Sequence, residues 1–384
     1  MMHTQKQSRV ALVACPDYAQ ERVDAAVARG LELLGGASRF VRPNEQILLK
    51  PNILAGEPPE SAVITHPAVL RAVARQLADA GAKLTYGDSP GLGKPEVVAQ
   101  RSELAPAAEA LDIPLADMET PRTVSFPEGQ LIKQFTLAAG VLAADGIVSL
   151  PKLKTHGLTR LTGAIKNQFG CIPGILKAEF HTRLPEVEPF SRMLVDLNAL
   201  LRPRLFVMDA ILAMEGNGPR SGDPRALGVL LLSSDPVALD AIASRLIALD
   251  PQMVPPIVQG QAMGLGRAED IEIVGDPLEE HVCPTFRVNR QSETPSRRRW
   301  IALSYLREYI VPRPVIDASR CTRCGTCIRV CPVTPKALQF SSRLNAAPQH
   351  DYSRCIRCYC CQEMCPEGAI DIKTPLLGRL IRRQ

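Results

Sequence analysis

The sequence predicts an α/β fold in which a large, mostly parallel sheet carries helices on both faces and a small α+β domain follows at the C-terminal end. Short apolar runs alternate along the chain with longer segments of helical periodicity, which is typical of a parallel sheet with crossover helices. Most of these runs are apolar throughout, as strands covered on both faces should be. The third observation is a concentration of cysteine, because nine of the 12 cysteines lie between Cys321 and Cys365.

Seven apolar runs are predicted to form the strands of the large sheet. They occupy residues 10–14, 47–49, 83–86, 146–150, 205–208, 228–232 and 271–274. The segments between them place apolar residues at helical spacing and predict helices over residues 19–34, 66–80, 95–110, 189–201 and 236–248. Ligands of such sheets bind beyond the carboxyl ends of the strands, so the residues after each run are the candidates for a functional site.

The composition excludes several classes of protein. Of the 384 residues, 46% are hydrophobic and 22% are charged, so the chain can bury a core and is not disordered throughout. Aromatic residues make up only 4%, which argues against a nucleic-acid surface built on stacked bases. No membrane-spanning segment is expected, and the N-terminal apolar run is too short for a signal peptide. We therefore expect a cytoplasmic location and no nucleic-acid partner.

Charge and cysteine content both change near residues 297–320. From Arg297 onward there are 16 Lys and Arg against 6 Asp and Glu, a net charge of +10, which leaves −5 for the first 296 residues of a chain of net charge +5. The predicted divisions are an α/β cleft domain over 1–296, a basic amphipathic linker helix over 297–314, a cysteine-rich domain over 315–375 and a basic tail over 376–384. The cysteine-rich domain is too short for a large core, so bound metal must stabilise it.

Two cysteine motifs of identical spacing explain this domain. They are Cys321-x2-Cys324-x2-Cys327-x3-Cys331-Pro332 and Cys355-x2-Cys358-x2-Cys361-x3-Cys365-Pro366. This is the pattern of bacterial two-cluster ferredoxins, in which the fourth cysteine of each run binds the other cluster. The spacing predicts two 4Fe–4S clusters in a ferredoxin-type domain. The first would be held by Cys321, Cys324, Cys327 and Cys365, and the second by Cys355, Cys358, Cys361 and Cys331.

Other uses of these cysteines fit less well. A disulfide framework needs an oxidising compartment, and nothing in the chain exports it. Zinc sites are satisfied by paired C-x2-C and do not need a third cysteine at the same step followed by C-x3-C-P. The segment resembles the two-cluster ferredoxins over about 50 residues, with a long stretch between the motifs and an additional thiol, Cys360. Cys360 is predicted not to bind iron, although its position beside Cys361 makes it a competitor.

Lysine, histidine, asparagine and acidic residues recur just beyond the predicted strands. The candidates for catalysis all follow the run at 146–150, and they are Lys152, Lys154, His156 and Lys166. The candidates for ligand binding are Asn52, Asp88, Asn167, Lys177, His181, Asp209 and Glu215. We expect solvated lysines in an open cleft that binds a carboxylate or phosphate, with the acidic residues either paired to them or binding a divalent cation. Neither a Walker A loop nor a Rossmann glycine motif is present, so ATP or dinucleotide binding is not indicated.

Several short blocks resemble one family in the same order along the chain. They are Leu49-Lys50-Pro51-Asn52, Thr65-His66-Pro67, Gly87-Asp88-Ser89-Pro90-Gly91, Leu150-Pro151-Lys152-Leu153-Lys154-Thr155-His156, Lys166-Asn167-Gln168-Phe169-Gly170, Met214-Glu215-Gly216-Asn217-Gly218-Pro219 and Ser234-Asp235-Pro236-Val237-Ala238-Leu239-Asp240. Over about residues 45–275 the chain resembles the domain-of-unknown-function 362 family, whose members often carry a C-terminal ferredoxin module. The resemblance implies the architecture but no substrate.

A basic apolar stretch joins the two parts. Residues 297–311 place Trp300, Leu303, Leu306 and Ile310 near helical spacing, and Pro312 ends the segment. The simplest role is a linker helix that docks the cysteine-rich domain on the large one. The alternative is peripheral contact with an anionic membrane, helped by the basic tail.

These observations lead to three hypotheses of function. The first is an iron–sulfur oxidoreductase that delivers electrons through the two clusters to a small anionic substrate or cofactor in the cleft, with a redox protein as partner. The second is a non-catalytic ferredoxin-type carrier or cluster-delivery protein whose large domain docks a partner. The third is an iron–sulfur redox sensor. An open cleft with the lysines facing it favours the enzyme, and a filled one favours the carrier.

Overall fold

A mixed sheet of nine strands forms the frame of the larger part of the protein. The structure is a computed structural model that describes residues 7–174, 176–291, 307–340 and 346–381. Up to residue 291 the strands are β1 (Ser8–Ala14), β2 (Gln46–Pro51), β3 (Lys83–Tyr86), β4 (Pro121–Ser125), β5 (Gln134–Ala138), β6 (Gly146–Leu150), β7 (Lys152–His156), β8 (Arg160–Thr162), β9 (Leu205–Glu215), β10 (Asp223–Ser233) and β11 (Ile271–Gly275). The helices are α1 (Gln20–Leu33), α2 (Pro67–Asp79), α3 (Pro95–Arg101), α4 (Leu104–Glu109), α5 (Ala139–Leu142), α6 (Ala164–Asn167), α7 (Leu176–Arg183), α8 (Val187–Leu201), α9 (Pro236–Leu246) and α10 (Pro255–Ala262).

The main path of the sheet runs β11–β1–β10–β9–β6–β2–β3. The neighbours β9, β6, β2 and β3 are parallel, whereas β10 is antiparallel to both β1 and β9. Strand β7 pairs in parallel with β9 and carries β8 beside it. Strands β4 and β5 form a separate antiparallel pair. The predicted fold class is confirmed: the sheet is mixed and mostly parallel.

Alternate residues of the strands enter two apolar cores on opposite faces of the sheet, because successive side chains of a strand point to opposite sides. In β2, Leu48 belongs to one core and Ile47 and Leu49 belong to the other. Helices α8, α9 and α10 cover the first face, and α1 and α2 cover the second. This two-sided coverage explains why the strand sequences are apolar throughout.

The structure differs from the sequence prediction in two places that matter for the site. Residues 152–156, expected to follow a strand, form strand β7 themselves, and β9 continues to Glu215, so Asp209 lies within a strand. The helix predicted over 95–110 is interrupted at Glu103, where φ is 59°, and becomes α3 and α4. The remaining predicted strands lie within observed strands, and the remaining predicted helices match observed helices to within two residues at each end.

The cysteine-rich part contains short elements. They are α11 (Arg307–Ile310), β12 (Arg313–Ile316), α12 (Thr326–Arg329), β13 (Leu338–Gln339), β14 (Gln349–His350), α13 (Cys360–Glu363), β15 (Ile370–Lys373) and α14 (Leu376–Ile381). Strand β12 pairs with β15, and β13 pairs with β14. Most of the predicted linker helix, residues 297–306, lies outside the described residues. No helix in the described ranges is both long and apolar enough to cross a membrane.

Candidate functional site: two cysteine cavities beside a buried lysine cluster

The first set of predicted cluster ligands surrounds one cavity. Cys321, Cys324, Cys327 and Cys365 line a cavity between the two motifs. The loop can turn sharply before α12 because Gly325 adopts a φ of 73°, in the left-handed region that glycine tolerates. Three of these thiols come from the first motif and one from the second, which is the exchange that the two-cluster spacing predicts.

The second predicted set surrounds another cavity. Its lining includes Cys331, Cys355, Cys358 and Cys361. Cys360 is buried but does not line this cavity, so the structure gives it no position among the predicted ligands. The four thiols of each set surround one cavity, and four thiolates are the donor set that a 4Fe–4S cluster requires. In the described ranges, no group of three or more His, Cys, Asp or Glu side chains is placed to hold a single metal ion.

The two cysteine sets differ in exposure. Cys324 of the first set is exposed, whereas Cys331, Cys358 and Cys361 of the second are buried. Burial of the second set follows from its position, because α13 packs against the large sheet domain. The first set is thus open to solvent at Cys324, whereas its Cys327 and Cys365 are buried like most of the second set.

We use the name lysine cluster for Lys50, Lys152, Lys154 and Lys166. The first of these, Lys50, lies at the end of β2. Its ammonium is fully buried and donates to Asp88 Oδ1 at 2.6 Å, to Asn167 Oδ1 at 3.2 Å and to the Pro51 carbonyl at 3.0 Å. Asp88 Oδ2 in turn accepts from the Ile53 backbone at 2.8 Å. Strands β2 and β3 are parallel neighbours, which brings Lys50 and Asp88 to the same edge of the sheet. Lys50 was not among the predicted site residues, although it follows a strand like the others.

Lys152 is committed to an ion pair inside the domain. It donates to Asp209 Oδ2 and to the Tyr18 hydroxyl, both at 2.8 Å, and the side chains of Lys152 and Asp209 are fully buried. Asp209 also accepts from Tyr18 at 2.8 Å and from the His66 backbone at 3.0 Å. Pairing between an acidic residue and a lysine was expected here, but solvation of Lys152 was not found. Burial lowers the pKa of Lys152, and Asp209 opposes this shift.

Lys154 is also buried, and its partners are neutral. It donates to Asn52 Oδ1 and to the Val63 carbonyl, both at 2.7 Å. Burial, together with the nearby charge of Lys166, lowers the pKa of Lys154 to about 7. The expectation of a solvated lysine is therefore wrong. Lys154 lies on β7, which pairs with β8 on one side and with β9 on the other, and not in a loop.

His156 lies at the contact with the cysteine-rich domain. His156 Nδ1 accepts from the backbone of Leu158 at 3.0 Å and of Thr159 at 3.2 Å. His156 Nε2 lies 2.8 Å from Glu363 Oε1. Burial lowers the pKa of His156, and because Nδ1 accepts from two backbone N–H groups, the ring hydrogen of the neutral imidazole lies on Nε2. Glu363 belongs to α13, between two predicted cluster ligands.

Charge balance at Glu363 favours the carboxylate. Burial by itself would raise its pKa, but His156, Lys166 and His181 outweigh this effect and lower the pKa of Glu363. Burial lowers the pKa of Lys166, and Glu363 opposes that shift. Burial also lowers the pKa of His181 to about 4, and its ring stacks on Phe190 at 4.7 Å. Glu363 could not be found from the sequence, since it lies inside a cluster motif far along the chain.

The remaining predicted residues have separate positions. Lys177 donates to the carbonyls of Ser89 and Ile172, both at 2.9 Å, and burial lowers its pKa to about 8. Asn167 donates to Ser149 Oγ at 2.8 Å and to the Lys50 carbonyl at 3.1 Å, so it joins the Lys50 group. Glu215 was expected to pair with the lysines, but it accepts instead from the side chain of Arg287 at 2.8 Å and from its backbone at 2.9 Å.

These features define an α/β protein with a fused iron–sulfur module whose second cysteine motif is docked on a buried lysine cluster. Residues 47–245 match the family model described as "Domain of unknown function (DUF362)", and residues 313–366 match a 4Fe-4S dicluster domain. The chain belongs to the DUF362 family, and its C-terminal part is an iron–sulfur domain of the ferredoxin type. The resemblance predicted from the sequence is confirmed.

Known relatives and structures add the following comparisons. A thylakoid-associated protein of Synechocystis sp. is 37% identical over 257 residues, which cover 67% of this chain and 79% of that protein. Among solved structures, the lactate racemase apoprotein of Thermoanaerobacterium thermosaccharolyticum has a TM-score of 0.36 at 13% identity, covering 62% of this chain and 56% of that one. A protein of Thermotoga maritima has a TM-score of 0.35 at 13% identity, covering 58% and 57%. This chain thus spans little more than half of either solved chain.

Proposed function

We propose that this protein is an iron–sulfur oxidoreductase that delivers electrons through two 4Fe–4S clusters to a small anionic substrate or cofactor at the lysine cluster. The observation that carries the proposal is the contact between the domains, where Glu363 Oε1 lies 2.8 Å from His156 Nε2. Because Glu363 stands between Cys361 of the second set and Cys365 of the first, this contact brings one predicted ligand of each set close to His156. A 4Fe–4S cluster supplies one-electron transfer at such a position.

The exposure of the cysteines supports a direction for the electrons. Cys324 in the first set is exposed, so a redox partner protein can approach that side. Cys331, Cys358 and Cys361 of the second set are buried, and Glu363, two residues after Cys361, contacts His156 of the domain that carries the lysines. Electrons would therefore enter at the first cluster and leave at the second, toward the residues proposed to bind the substrate.

Within the proposal the residues have different roles. Lys166 and His156 are the candidates for contact with substrate, with His156 as proton donor through Nε2. Lys50, Asp88, Asn52, Asn167, Lys152 and Asp209 position this edge of the sheet through buried hydrogen bonds. Lys154 is a second candidate proton donor, since its pKa is about 7.

The non-catalytic carrier is the second candidate, and one observation favours it. Lys152 and Lys154 are buried, and acceptors of the protein itself already occupy them. A docking domain needs no free binding site, so lysines whose hydrogen bonds are already made within the protein fit the carrier. An enzyme would have to free these lysines before they could bind a substrate. The experiment below separates the two candidates.

The test is the small-molecule content of the protein after anaerobic purification. We compare wild type, Lys166→Ala and the matched control Lys94→Ala, whose lysine is exposed on the surface. The proposal expects wild type and the control to retain a bound anion that accepts electrons from the dithionite-reduced protein, and Lys166→Ala to lose it while keeping its iron. If no anion is retained in any variant and the reduced protein passes electrons only to carrier proteins, the carrier is correct.

Location is part of the proposal as well. We retain a cytoplasmic location, with peripheral membrane contact as the alternative that the thylakoid-associated relative supports. At the C-terminal end, Leu376 is 78% exposed and Leu377 is 40% exposed beside the basic Arg379. Fractionation of cells decides between the two, and release of the protein from membranes by salt would identify the alternative.

A further inference from the structure

We propose that His350 tunes the second cluster: its Nε2–H donates a hydrogen bond to Cys361 Sγ, stabilises the reduced cluster and raises its reduction potential. The inference rests on the two clusters of the proposed function, and it deepens that function by naming a residue that favours electron flow toward the second cluster. It does not depend on which substrate accepts the electrons.

The contact joins an imidazole nitrogen to a predicted cluster ligand. His350 Nε2 lies 3.6 Å from Cys361 Sγ, a separation that an N–H···S hydrogen bond can span because sulfur is larger than oxygen. A thiolate bound to iron carries no hydrogen, so Cys361 Sγ can only accept, and the ring hydrogen of His350 must lie on Nε2. His350 is held at this place by β14, where it pairs with Leu338 of β13.

Tyr352 holds the imidazole ring in its orientation. The rings of His350 and Tyr352 are parallel to within 2°, with their centroids 5.5 Å apart. The Tyr352 hydroxyl donates to the Pro314 carbonyl at 2.8 Å. The guanidinium carbons of Arg313 and Arg357 lie 4.5 and 4.9 Å from the centroid of the Tyr352 ring. A ring fixed by these contacts can orient the residue that contacts the ligand, as outer partners do at metal sites generally.

The hydrogen bond affects the two redox states of the cluster unequally. Reduction adds one electron to the cluster, and no bond to the protein forms or breaks. The added negative charge is shared with the cysteine sulfurs, and a hydrogen bond becomes stronger as its acceptor becomes more negative. Donation from His350 therefore stabilises the reduced state more than the oxidised state. Hydrogen bonds to the sulfurs are one of the factors that set the potential of such clusters.

The sulfurs of the first set have different neighbours. The backbone N–H of Ala369 donates to Cys365 Sγ at 3.3 Å, and the Thr326 hydroxyl lies 3.3 Å from Cys324 Sγ. His350 contacts a ligand of the second set instead. Its substitution should therefore change the potential of one cluster and leave the other as it is.

The test is a redox titration, monitored by electron paramagnetic resonance, of the anaerobic, iron-loaded full-length protein. It compares wild type, His350→Leu and the control His281→Leu, which replaces a histidine of the sheet domain. We expect His350→Leu to lower the potential of one of the two clusters by about 59 mV, which is a tenfold change in the ratio of reduced to oxidised cluster for one electron. Both potentials of the control should equal those of wild type. Unchanged potentials in His350→Leu would overturn the inference, as would an equal shift of both clusters.

A second variant covers the case in which His350→Leu loses iron. Tyr352→Leu removes the ring that stacks on the imidazole and leaves the donor in place, so it should lower the same potential by a smaller amount. Iron loss in His350→Leu together with an unchanged potential in Tyr352→Leu would also overturn the inference.

Electron transfer to the co-purified anion tests the parent proposal independently. Transfer without any shift of potential in His350→Leu would reject the tuning residue alone. A shift of potential without transfer would reject the oxidoreductase alone.

Discussion

The side-chain amide of Gln362 donates to Asn217 twice, to its side-chain oxygen at 2.8 Å and to its backbone oxygen at 3.0 Å. Asn217 also donates to the Ile370 carbonyl and to Asp371, both at 3.1 Å. The block of sequence after β9 that resembles the family is thus an attachment point for the iron–sulfur domain. Arg220 strengthens this interface by donating to the Met364 carbonyl at 2.8 Å.

Substitution of Gln362 should loosen the iron–sulfur domain from the sheet domain. Gln362→Ala removes donors to Asn217 and leaves its oxygens unsatisfied in a buried interface, at a cost of about 1–3 kcal/mol. Hydrogen exchange of the backbone amides in α13 should become faster by a corresponding factor. The matched control is Gln349→Ala, an exposed glutamine of the same domain, for which no change is expected. Unchanged exchange in Gln362→Ala would show that this hydrogen-bond pair does not hold the interface.

The two cysteine cavities predict the iron content of the protein. Anaerobically purified wild type should hold about eight iron and eight sulfide per chain, and Cys321→Ala should lose about half of the iron. Cys360→Ala is the control, because Cys360 lies outside both cavities, and it should keep nearly all of the iron. Elemental analysis decides the matter: zinc in place of iron, or a full iron content in Cys321→Ala, would refute the ligand assignment.

Iron removal should unfold the cysteine-rich domain and spare the rest. The small core contains Cys327, Cys331, Cys361 and Cys365 together with only four other fully buried residues, so ligand bonds must supply much of its stability. The two large cores lie entirely within the sheet domain. After anaerobic chelation, limited proteolysis should cleave within 315–375 and leave a resistant fragment that contains residues 7–291. Simultaneous loss of both parts would contradict the division into domains.

The low pKa of Lys154 predicts a pH dependence of stability. The folded state titrates this lysine at about 7, whereas an unfolded chain titrates it at about 10.4. Between these values the unfolded state binds more protons, so the free energy of unfolding rises with pH, by up to about 1.4 kcal/mol per pH unit. Below pH 7 both states are protonated, and the burial penalty is present in full.

Urea unfolding of wild type and Lys154→Met at pH 7.5, 8.5 and 9.5 measures this contribution. Lys154→Met cannot titrate, so its free energy of unfolding should rise less steeply with pH, by about 1 kcal/mol per unit. Lys177 has the same sign of effect because burial lowers its pKa to about 8, and comparison of the two proteins cancels it. The exposed Lys94→Met should follow wild type. Identical slopes for Lys154→Met and wild type would mean that Lys154 is not buried as a partly neutral amine.

Local patterns were sufficient for seven strands of the large sheet and for the iron–sulfur motifs. Runs such as 47–49 and 146–150 were recognisable as buried strands because both faces of the sheet are covered, which leaves an apolar signature in the chain itself. The spacing from Cys321 to Cys331 and from Cys355 to Cys365 reflects the geometry of a loop around a cluster, so it is readable without any other part of the molecule. The family blocks could also be recognised in order along the chain, because each block is a short continuous stretch of sequence.

The partners of the polar residues depended on tertiary structure. Lys152 and Lys154 are two residues apart on β7, yet Lys152 meets Asp209 of β9 and Lys154 meets Asn52, which follows β2. Their burial could not be inferred, since a short strand that contains lysines and a histidine looks like a polar loop in sequence. Glu363 reaches His156 only because α13 docks on the sheet domain, and such a contact depends on the relative position of two domains, about which the local spacing of residues carries no information.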